Sequence, residues 1–549
     1  MAATVPPSPS VSEARRSAQR AKSAAGRLAE LSQLQIDTIV DAVAAAAQSH
    51  VEPWARLAVE ETGFGVVSDK IQKNRFAAER VYEFIRPMRT VGVIHRDEAR
   101  KVVEIAEPFG VVAAIVPSTN PTSTAIYKIL ISLKARCPIV ISPHPSATRC
   151  ITNVAQVLND AALAAGAPEG AVNWMTQVSL EGTQELMRHR DVAVILATGG
   201  MGLVRAAYSA GKPAYGVGPG NAPCFIERTA DVAKAANDIL TGKCFDNGVL
   251  CSSPNSVVVE AAVADEAKRQ FIAGGGYFLS SVESELLAKA LVTPRRLPNP
   301  EFVGRSAMQI ATAIGVDVPD GTRALIAELT GVGRDFPLSI EKLCPVLSYY
   351  VVADWQEGCE RCKQILRYGG MGHTMSIHSQ NEPVILEFGL KKPAFRICVN
   401  TPTTHGSIGL TTGLDPAMTL GCGGFGGNIT SDNITPRHLL NIKRLAYELR
   451  PASTGRPATP SSGQRAMPLP QVPKQPQPAG LAAASVTSHV EALLAGRGGS
   501  PAIAEFVCEE DVRQAMALGR TILISDRTIV TPLAREVGDA HKILVVSDR

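Results

Sequence analysis

At 549 residues the chain is too long for one compact core, because cores stop growing at roughly 250 to 300 residues and longer chains divide. Its composition, 45% hydrophobic and 19% charged, excludes extensive disorder outside biased segments. Lys and Arg number 55 against 51 Asp and Glu, and no basic run carries interleaved aromatics, so neither nucleic acid nor any other macromolecule is implied as a partner by charge.

The N-terminus, MAATVPPSPSVSEARRSAQRAKSAAG, lacks the apolar segment of a secretory signal, and no stretch of about 18 apolar residues follows it, so a cytoplasmic chain without a membrane span is expected. From residue 11 to about 89, Ala-rich segments such as IVDAVAAAAQ follow a helical period. Apolar, β-branched runs then alternate with helical stretches: GVVAAIVP, AIYKILISLKA, PIVISP, ITNVAQVLNDAALAAG and VAVILATGG. That alternation predicts a parallel, doubly wound sheet. A second alternating series begins near Thr241 and runs through NSVVVE, PVLSYYVV and FRICVN to GCGGFGGN, which predicts a second lobe. After Leu449 the segment PASTGRPATPSSGQRAMPLPQVPKQPQPAG is dense in Pro, Ser and Gln and reads as a semi-extended linker. Beyond it, SVTSHVEALLAG sets Val486, Val490, Leu493 and Leu494 on one side of a short helix, and a further helix with the strand-like TILIS and KILVVS completes a small tail. The expected divisions are 1–240 and 241–430 for the two lobes, 431–450 for a return segment, 451–480 for the linker and 481–549 for the accessory tail.

Eleven cysteines between positions 137 and 508, an odd number without regular spacing, predict reduced thiols rather than a disulfide framework. Cys359 and Cys362 form a C-x-x-C in the helix-like EGCERCKQIL, but no second Cys or His pair lies near it in sequence, and no metal is expected. Cys251 stands apart. In Phe245-Asp246-Asn247-Gly248-Val249-Leu250-Cys251-Ser252-Ser253 it follows a glycine-containing turn, with small hydroxyl neighbours and the apolar run NSVVVE behind it. Such a thiol can be exposed at a strand edge near backbone N–H groups, which help lower a thiolate pKa and can hold an oxyanion. A buried structural thiol is the alternative. Ala197-Thr198-Gly199-Gly200-Met201-Gly202 lies between the strand-like VAVIL and the helix-like LVRAAYSAG, so backbone amides and a helix N-terminus can approach a phosphate there. The spacing is not G-x-G-x-x-G, and a plain tight connection has the same appearance.

Six long segments recur in a family's order: IAEPFGVVAAIVPSTNPTSTAIYKILISLKAR, ILATGGMGLVRAAYSAGKPAYGVGPGNAP, CFDNGVLCSS, GGMGHTMSIHS, RICVNTPTTHGSIG and TLGCGGFGGNITSDNITPRHLLNIKR. In them, over residues 11 to 449, the chain resembles the CoA-acylating aldehyde dehydrogenases, a group that includes the aldehyde half of the bifunctional aldehyde-alcohol dehydrogenases and the ethanolamine- and propanediol-utilisation enzymes. The resemblance implies an α/β, aldehyde dehydrogenase-like fold of two doubly wound lobes. Residues 1–240 would hold the nicotinamide cofactor, 241–430 would be catalytic, and 431–450 would carry a strand that pairs subunits into a homodimer or homotetramer. It implies Cys251 as the nucleophile, Asn120 as the oxyanion donor beside the Cys251 N–H, and Glu341 as the group holding the nicotinamide ribose. Ser142 and His144 lie where relatives contact the adenosine ribose, without the lysine common in hydrolytic enzymes, so NAD is expected and NADP stays open. Thr198, Gly199 and Gly200 complete the cofactor set. His373 is placed in the active site, either as acceptor of the CoA thiol proton or as a hydrogen-bonding loop residue.

Hydrolytic relatives carry a glutamate in a Glu-Leu-Gly-Gly-type segment that activates water, whereas the corresponding stretch here, 216–223, has no carboxylate. Coenzyme A is therefore the expected acyl acceptor, and acetaldehyde, propionaldehyde, succinate semialdehyde or sulfoacetaldehyde the substrate. The alternatives are a hydrolytic enzyme that uses a carboxylate from elsewhere, and a cargo or scaffold protein with vestigial chemistry. The tail segment VCEEDVRQAMALGRTILISDRTIVTPLARE resembles an element of bacterial microcompartment-associated proteins, which points to a shell or partner enzyme as the tail's target, against a tail without a role.

Overall fold

A computed structural model of the protein describes residues 7–450, 504, 506–525 and 528–546, divided between two compact units, Met1–Ala452 and Ser453–Arg549. The first unit opens with helices whose starts are capped. Pro9–Ala29 begins on Ser8, whose hydroxyl accepts from Val11 N–H, and buries the small stripe Ala14, Ala18 and Ala21 beside the helix Leu180–Arg188. Gln33–Ser49 starts on a capping box formed by Ser32 and Gln35.

Five parallel strands follow, in the order Val172–Trp174, Ile139–Pro143, Val111–Val116, Val192–Thr198, Ala214–Val217. Every residue of Val111–Val116 and of Ile139–Pro143 is buried. Helices cover both faces of such a sheet, which is why these strands read as continuous apolar runs rather than alternating ones. Chain order reverses between Val111–Val116 and Val192–Thr198, and in open α/β sheets ligands bind beyond the carboxyl ends at that reversal.

A second parallel sheet has seven strands, in the order Gly276–Phe278, Ala324–Glu328, Val346–Val352, Pro254–Glu260, Ala222–Ile226, Gly372–His378, Ala394–Val399. It starts at Ala222–Ile226, before the expected boundary at 240, and the helix Val232–Cys244 packs on it. The short run APCFI follows the glycine-rich stretch directly, so nothing local in the sequence marks the crossing between lobes. Leu440–Ala446 returns to pair antiparallel with Val102–Pro108, at the edge of a three-stranded sheet completed by Gly92–Asp97.

The described part of the second unit has two short parallel strand pairs, Phe506–Val507 with Ile529–Val530 and Ile522–Ile524 with Leu544–Val546. Helices Glu509–Ala517 and Pro532–Ala540 accompany them, around Val507, Val512, Ile524 and Ala534. The linker at 451–480 and the helix expected over 486–494 lie outside the described residues. No described helix is long and apolar enough to cross a membrane, and among the described residues no cluster of His, Cys, Asp or Glu could hold a metal ion.

Candidate active site

A cavity of about 450 Å³ opens at the reversal point of the first sheet. Its walls are residues 115–120, 143–145, 198–200 and 217–219 from one lobe, with Val249, Cys251, Glu341 and Leu343 from the other. Seven of the sequence-predicted residues meet there: Asn120, His144, Thr198, Gly199, Gly200, Cys251 and Glu341.

Cys251 is delivered by an unusual turn. The helix Val232–Cys244 runs into three successive residues with positive φ, Asp246 at 50°, Asn247 at 51° and Gly248 at 72°. Gly248 is required, since a Cβ there would lie 3.0 Å from the carbonyl oxygens of both Lys243 and Cys344. The chain then passes through Cys251 into the buried strand Pro254–Glu260. Cys251 is partly open to the cavity but lies deep below the surface. Burial pushes its thiol up to about 12, and the Glu341 carboxylate adds to the rise, against smaller opposing pulls from Arg396 and its own backbone N–H. The expected lowering is thus corrected: desolvation outweighs the donors, and the resting thiol is protonated near neutral pH.

Asn120 sits at the N-terminus of the helix Pro121–Lys134. Its Oδ1 accepts from Lys73 Nζ at 2.6 Å, and its Nδ2 donates to Thr119 Oγ1 at 3.2 Å. Lys73 was not among the sequence-predicted residues. In sequence it is one of several charged positions on the short helix Val67–Arg75, with nothing to set it apart from a solvated lysine.

On the cofactor side, Thr198 ends the strand Val192–Thr198, and Gly200 caps the helix Met201–Tyr208 without a side-chain bond. The Thr198 hydroxyl is buried and has no hydrogen-bond partner among the described residues. An orphaned hydroxyl beside a glycine turn and a helix start fits a phosphate-bearing dinucleotide. Burial lowers the His144 imidazole below its ordinary range. Ser142 departs from expectation: it does not line the cavity, because alternation along the strand turns it inward, where its hydroxyl meets Thr183 Oγ1 at 2.8 Å. Thr183 lines the wall in its place.

Glu341 Oε1 accepts from Gly220 N–H at 2.9 Å, and burial pushes its carboxyl up to about 8. Gly220 is the closest approach in the site: a Cβ there would lie 1.9 Å from Cys251 O and 3.4 Å from His373 Cγ. His373 is therefore next to the cysteine loop but behind the wall rather than on it. Its Nδ1 meets Thr374 Oγ1 at 2.9 Å, its Nε2 has no partner among the described residues, and burial, with Arg396, lowers it to about 3.

Comparison with known proteins agrees with this geometry. Residues 3–274 match the model of the aldehyde dehydrogenase family. The chain is 43% identical over 433 residues to the bifunctional aldehyde-alcohol dehydrogenase of Escherichia coli strain K12, covering 78% of this chain and 48% of that protein. It thus spans about half the length of the aldehyde-alcohol dehydrogenases it matches. The crystal structure of an acetylating aldehyde dehydrogenase from Geobacillus thermoglucosidasius superposes with a TM-score of 0.80 at 46% identity, covering 81% of this chain and 98% of that one. A propionaldehyde dehydrogenase from the Clostridium phytofermentans fucose utilisation microcompartment superposes with a TM-score of 0.72 at 28% identity, covering 79% and 97%.

Proposed function

The chain belongs to the aldehyde dehydrogenase family, and on that premise we propose that it oxidises a small aldehyde with NAD and passes the acyl group to coenzyme A, reversibly. The observation that carries this reading is the stretch 216–223. Of it, Val217, Gly218 and Pro219 line the cavity, and Gly220 beside them has no room for a side chain against the Cys251 carbonyl. The stretch itself supplies no ionisable side chain to activate water, and the adjacent Glu341 carboxyl is held by the Gly220 N–H, so an acyl-enzyme persists until a thiol arrives.

Cys251 passes its thiol proton to solvent and attacks the aldehyde carbon as the thiolate. A sulfur–carbon bond forms, and the carbonyl oxygen becomes an oxyanion that the Asn120 amide and the Cys251 N–H stabilise. Bound nicotinamide dinucleotide supplies the hydride acceptor, and Thr198, the amides at Gly199 and Gly200, His144 and Glu341 would hold it. Loss of hydride from the tetrahedral carbon leaves a thioester on Cys251, which the CoA thiolate displaces to regenerate the cysteine. His373 can take the CoA proton only if ligand groups raise it from about 3, since a base that weak hardly draws a proton from a thiol.

Assembly as a homodimer or homotetramer is assigned to the edge strand Leu440–Ala446, on which Leu445 is exposed, with Tyr447 and Leu449 exposed just beyond it. A single-chain mass near 58.0 kDa in solution contradicts that assignment. The enzyme acts in the cytoplasm, housed with a microcompartment shell that residues 481–549 engage; the relative from a microcompartment and the separate compact unit formed by the tail support this. Truncation after Arg450 should leave activity in place and abolish co-purification with shell proteins.

The reaction is tested by product analysis over acetaldehyde, propionaldehyde, succinate semialdehyde and sulfoacetaldehyde, with NAD or NADP. CoA-dependent acyl-CoA formation is expected. Carboxylic acid at full rate without CoA establishes the hydrolytic alternative, for which Glu341, the sole carboxylate among the lining residues, is the candidate base.

A further inference from the structure

Burying charged side chains is costly unless they are paired, yet Lys70 and Lys73 are each 2% exposed and Asp246 is wholly buried. Two local features bring them together. The helix Val67–Arg75 sets the lysines one turn apart on the same face, and the left-handed turn before Cys251 presents the aspartate. Lys70 Nζ donates to Asp246 Oδ2 at 3.0 Å and to Thr119 O at 3.1 Å. Lys73 Nζ donates to the same Oδ2 and to Asn120 Oδ1, the latter at 2.6 Å. The carboxylate is itself fixed: Oδ1 accepts from Val66 N–H at 2.8 Å, and a Cβ on Gly65 would lie 1.9 Å from that oxygen.

Lys70 alone gives Asp246 a cationic partner, so pairing does not require the bond from Lys73 to Asn120. That bond has a different consequence. An amide whose oxygen accepts a lysine hydrogen bond cannot turn over without losing it, and while Lys73, lowered by burial to about 7, carries its proton, the same bond polarises the amide N–H groups and makes them stronger donors. We propose that Lys73, anchored by Asp246, is a positioning residue that clamps the carbonyl end of Asn120 and thereby aims its NH2 end at the reacting oxygen. Asp246 lies five residues before Cys251, so one buried cluster sets the nucleophile's turn and the oxyanion donor together.

The inference rests on the proposed function only in taking Cys251 as nucleophile and Asn120 as oxyanion donor. Its test therefore avoids CoA and NAD: the single-turnover burst of p-nitrophenolate from p-nitrophenyl acetate, which reports acylation of Cys251 alone. Asn120→Ala should slow the burst roughly 100-fold and Lys73→Met roughly 10- to 100-fold. The double variant should be no slower than Asn120→Ala, because Lys73 acts through the amide. Lys73→Gln, which keeps a neutral N–H donor, should recover part of the loss. Alkylation of Cys251 by iodoacetamide, which needs no oxyanion donor, should stay within about twofold in all of them. Multiplying effects in the double variant overturn the proposal, as does a wild-type burst in Lys73→Met or equal losses in Lys73→Met and Lys73→Gln. Failure of the CoA-dependent assay, with this coupling intact, would instead count against the acyl acceptor.

Discussion

On the cofactor side of the cavity the wall is mostly backbone, apolar and hydroxyl side chain: strand ends, the Thr198-Gly199-Gly200 turn, Pro143, Pro145, Leu203 and Thr183, with His144 beside them. On the catalytic side, ionisable groups are held out of water, with Lys70, Lys73, Asp246, Lys243 and Lys342 all buried and Glu341 pushed up to about 8. The first wall follows from the doubly wound sheet, since a sheet reversal and a glycine turn already make a place for a dinucleotide. The second depends on particular side chains from distant parts of the chain: Lys70 and Lys73 pair with Asp246, Lys243 donates to Asn255 Oδ1, and Lys342 donates to the carbonyls of Leu338 and Ile340. Substitutions on the two sides should therefore fail differently, by weakening cofactor binding on one and by stopping chemistry on the other.

The sharpest break comes at Cys251. Cys251→Ala should lower turnover by roughly 10³-fold or more while the folded protein still binds NAD, as read by fluorescence titration of NADH. Gly220→Ala comes next, because its new Cβ meets the Cys251 carbonyl. A misplacement of about 1 Å at a reacting group costs on the order of 10²-fold in kcat, with KM for NAD little changed.

The pH dependence of Cys251 sharpens the contrast. With burial and Glu341 raising the thiol to about 12, iodoacetamide labelling of the free enzyme should climb about tenfold per pH unit from about pH 7 to 10 without a plateau. A plateau below pH 9 would mean that donors dominate after all. Glu341 adds a stability signature with a definite sign. Its carboxyl is raised from 4.5 to about 8, so between those values the folded state holds a proton that the unfolded state has lost, and stability falls as pH rises. Glu341→Gln should flatten Tm between pH 5 and 8. The smallest effect belongs to the cofactor wall: Thr198→Val removes one hydroxyl and should raise KM for NAD about 5- to 10-fold, the worth of one hydrogen bond, with kcat nearly unchanged.

The same contrast explains what could be read from the sequence. GVVAAIVP, PIVISP and VAVILATGG are legible as strands because fully buried parallel strands are contiguous apolar runs, and long matching segments single out Cys251, Asn120 and the glycine turn, which line one cavity. The lobe boundary was not, since Ala222–Ile226 joins the second sheet straight from the glycine-rich stretch. Ser142 is expected in the site because Ser142-Pro143-His144-Pro145 lies where relatives contact the adenosine ribose, but alternation along the strand turns it toward Thr183. Lys73 and Asp246 are 173 positions apart, and each alone has the appearance of a surface charge. The raised thiol likewise reflects burial and a carboxylate from a separate segment, neither of which the local residues CFDNGVLCSS reveal.

The central claim is that the acyl-enzyme waits for a thiol, and intact-protein mass spectrometry tests it most directly. Enzyme mixed with aldehyde and NAD but no CoA should carry one acyl group on Cys251, absent from Cys251→Ala, that persists for many times the turnover time and disappears as acyl-CoA when CoA is added. Loss of the adduct as free carboxylic acid at the turnover rate, before any CoA is present, would contradict the account.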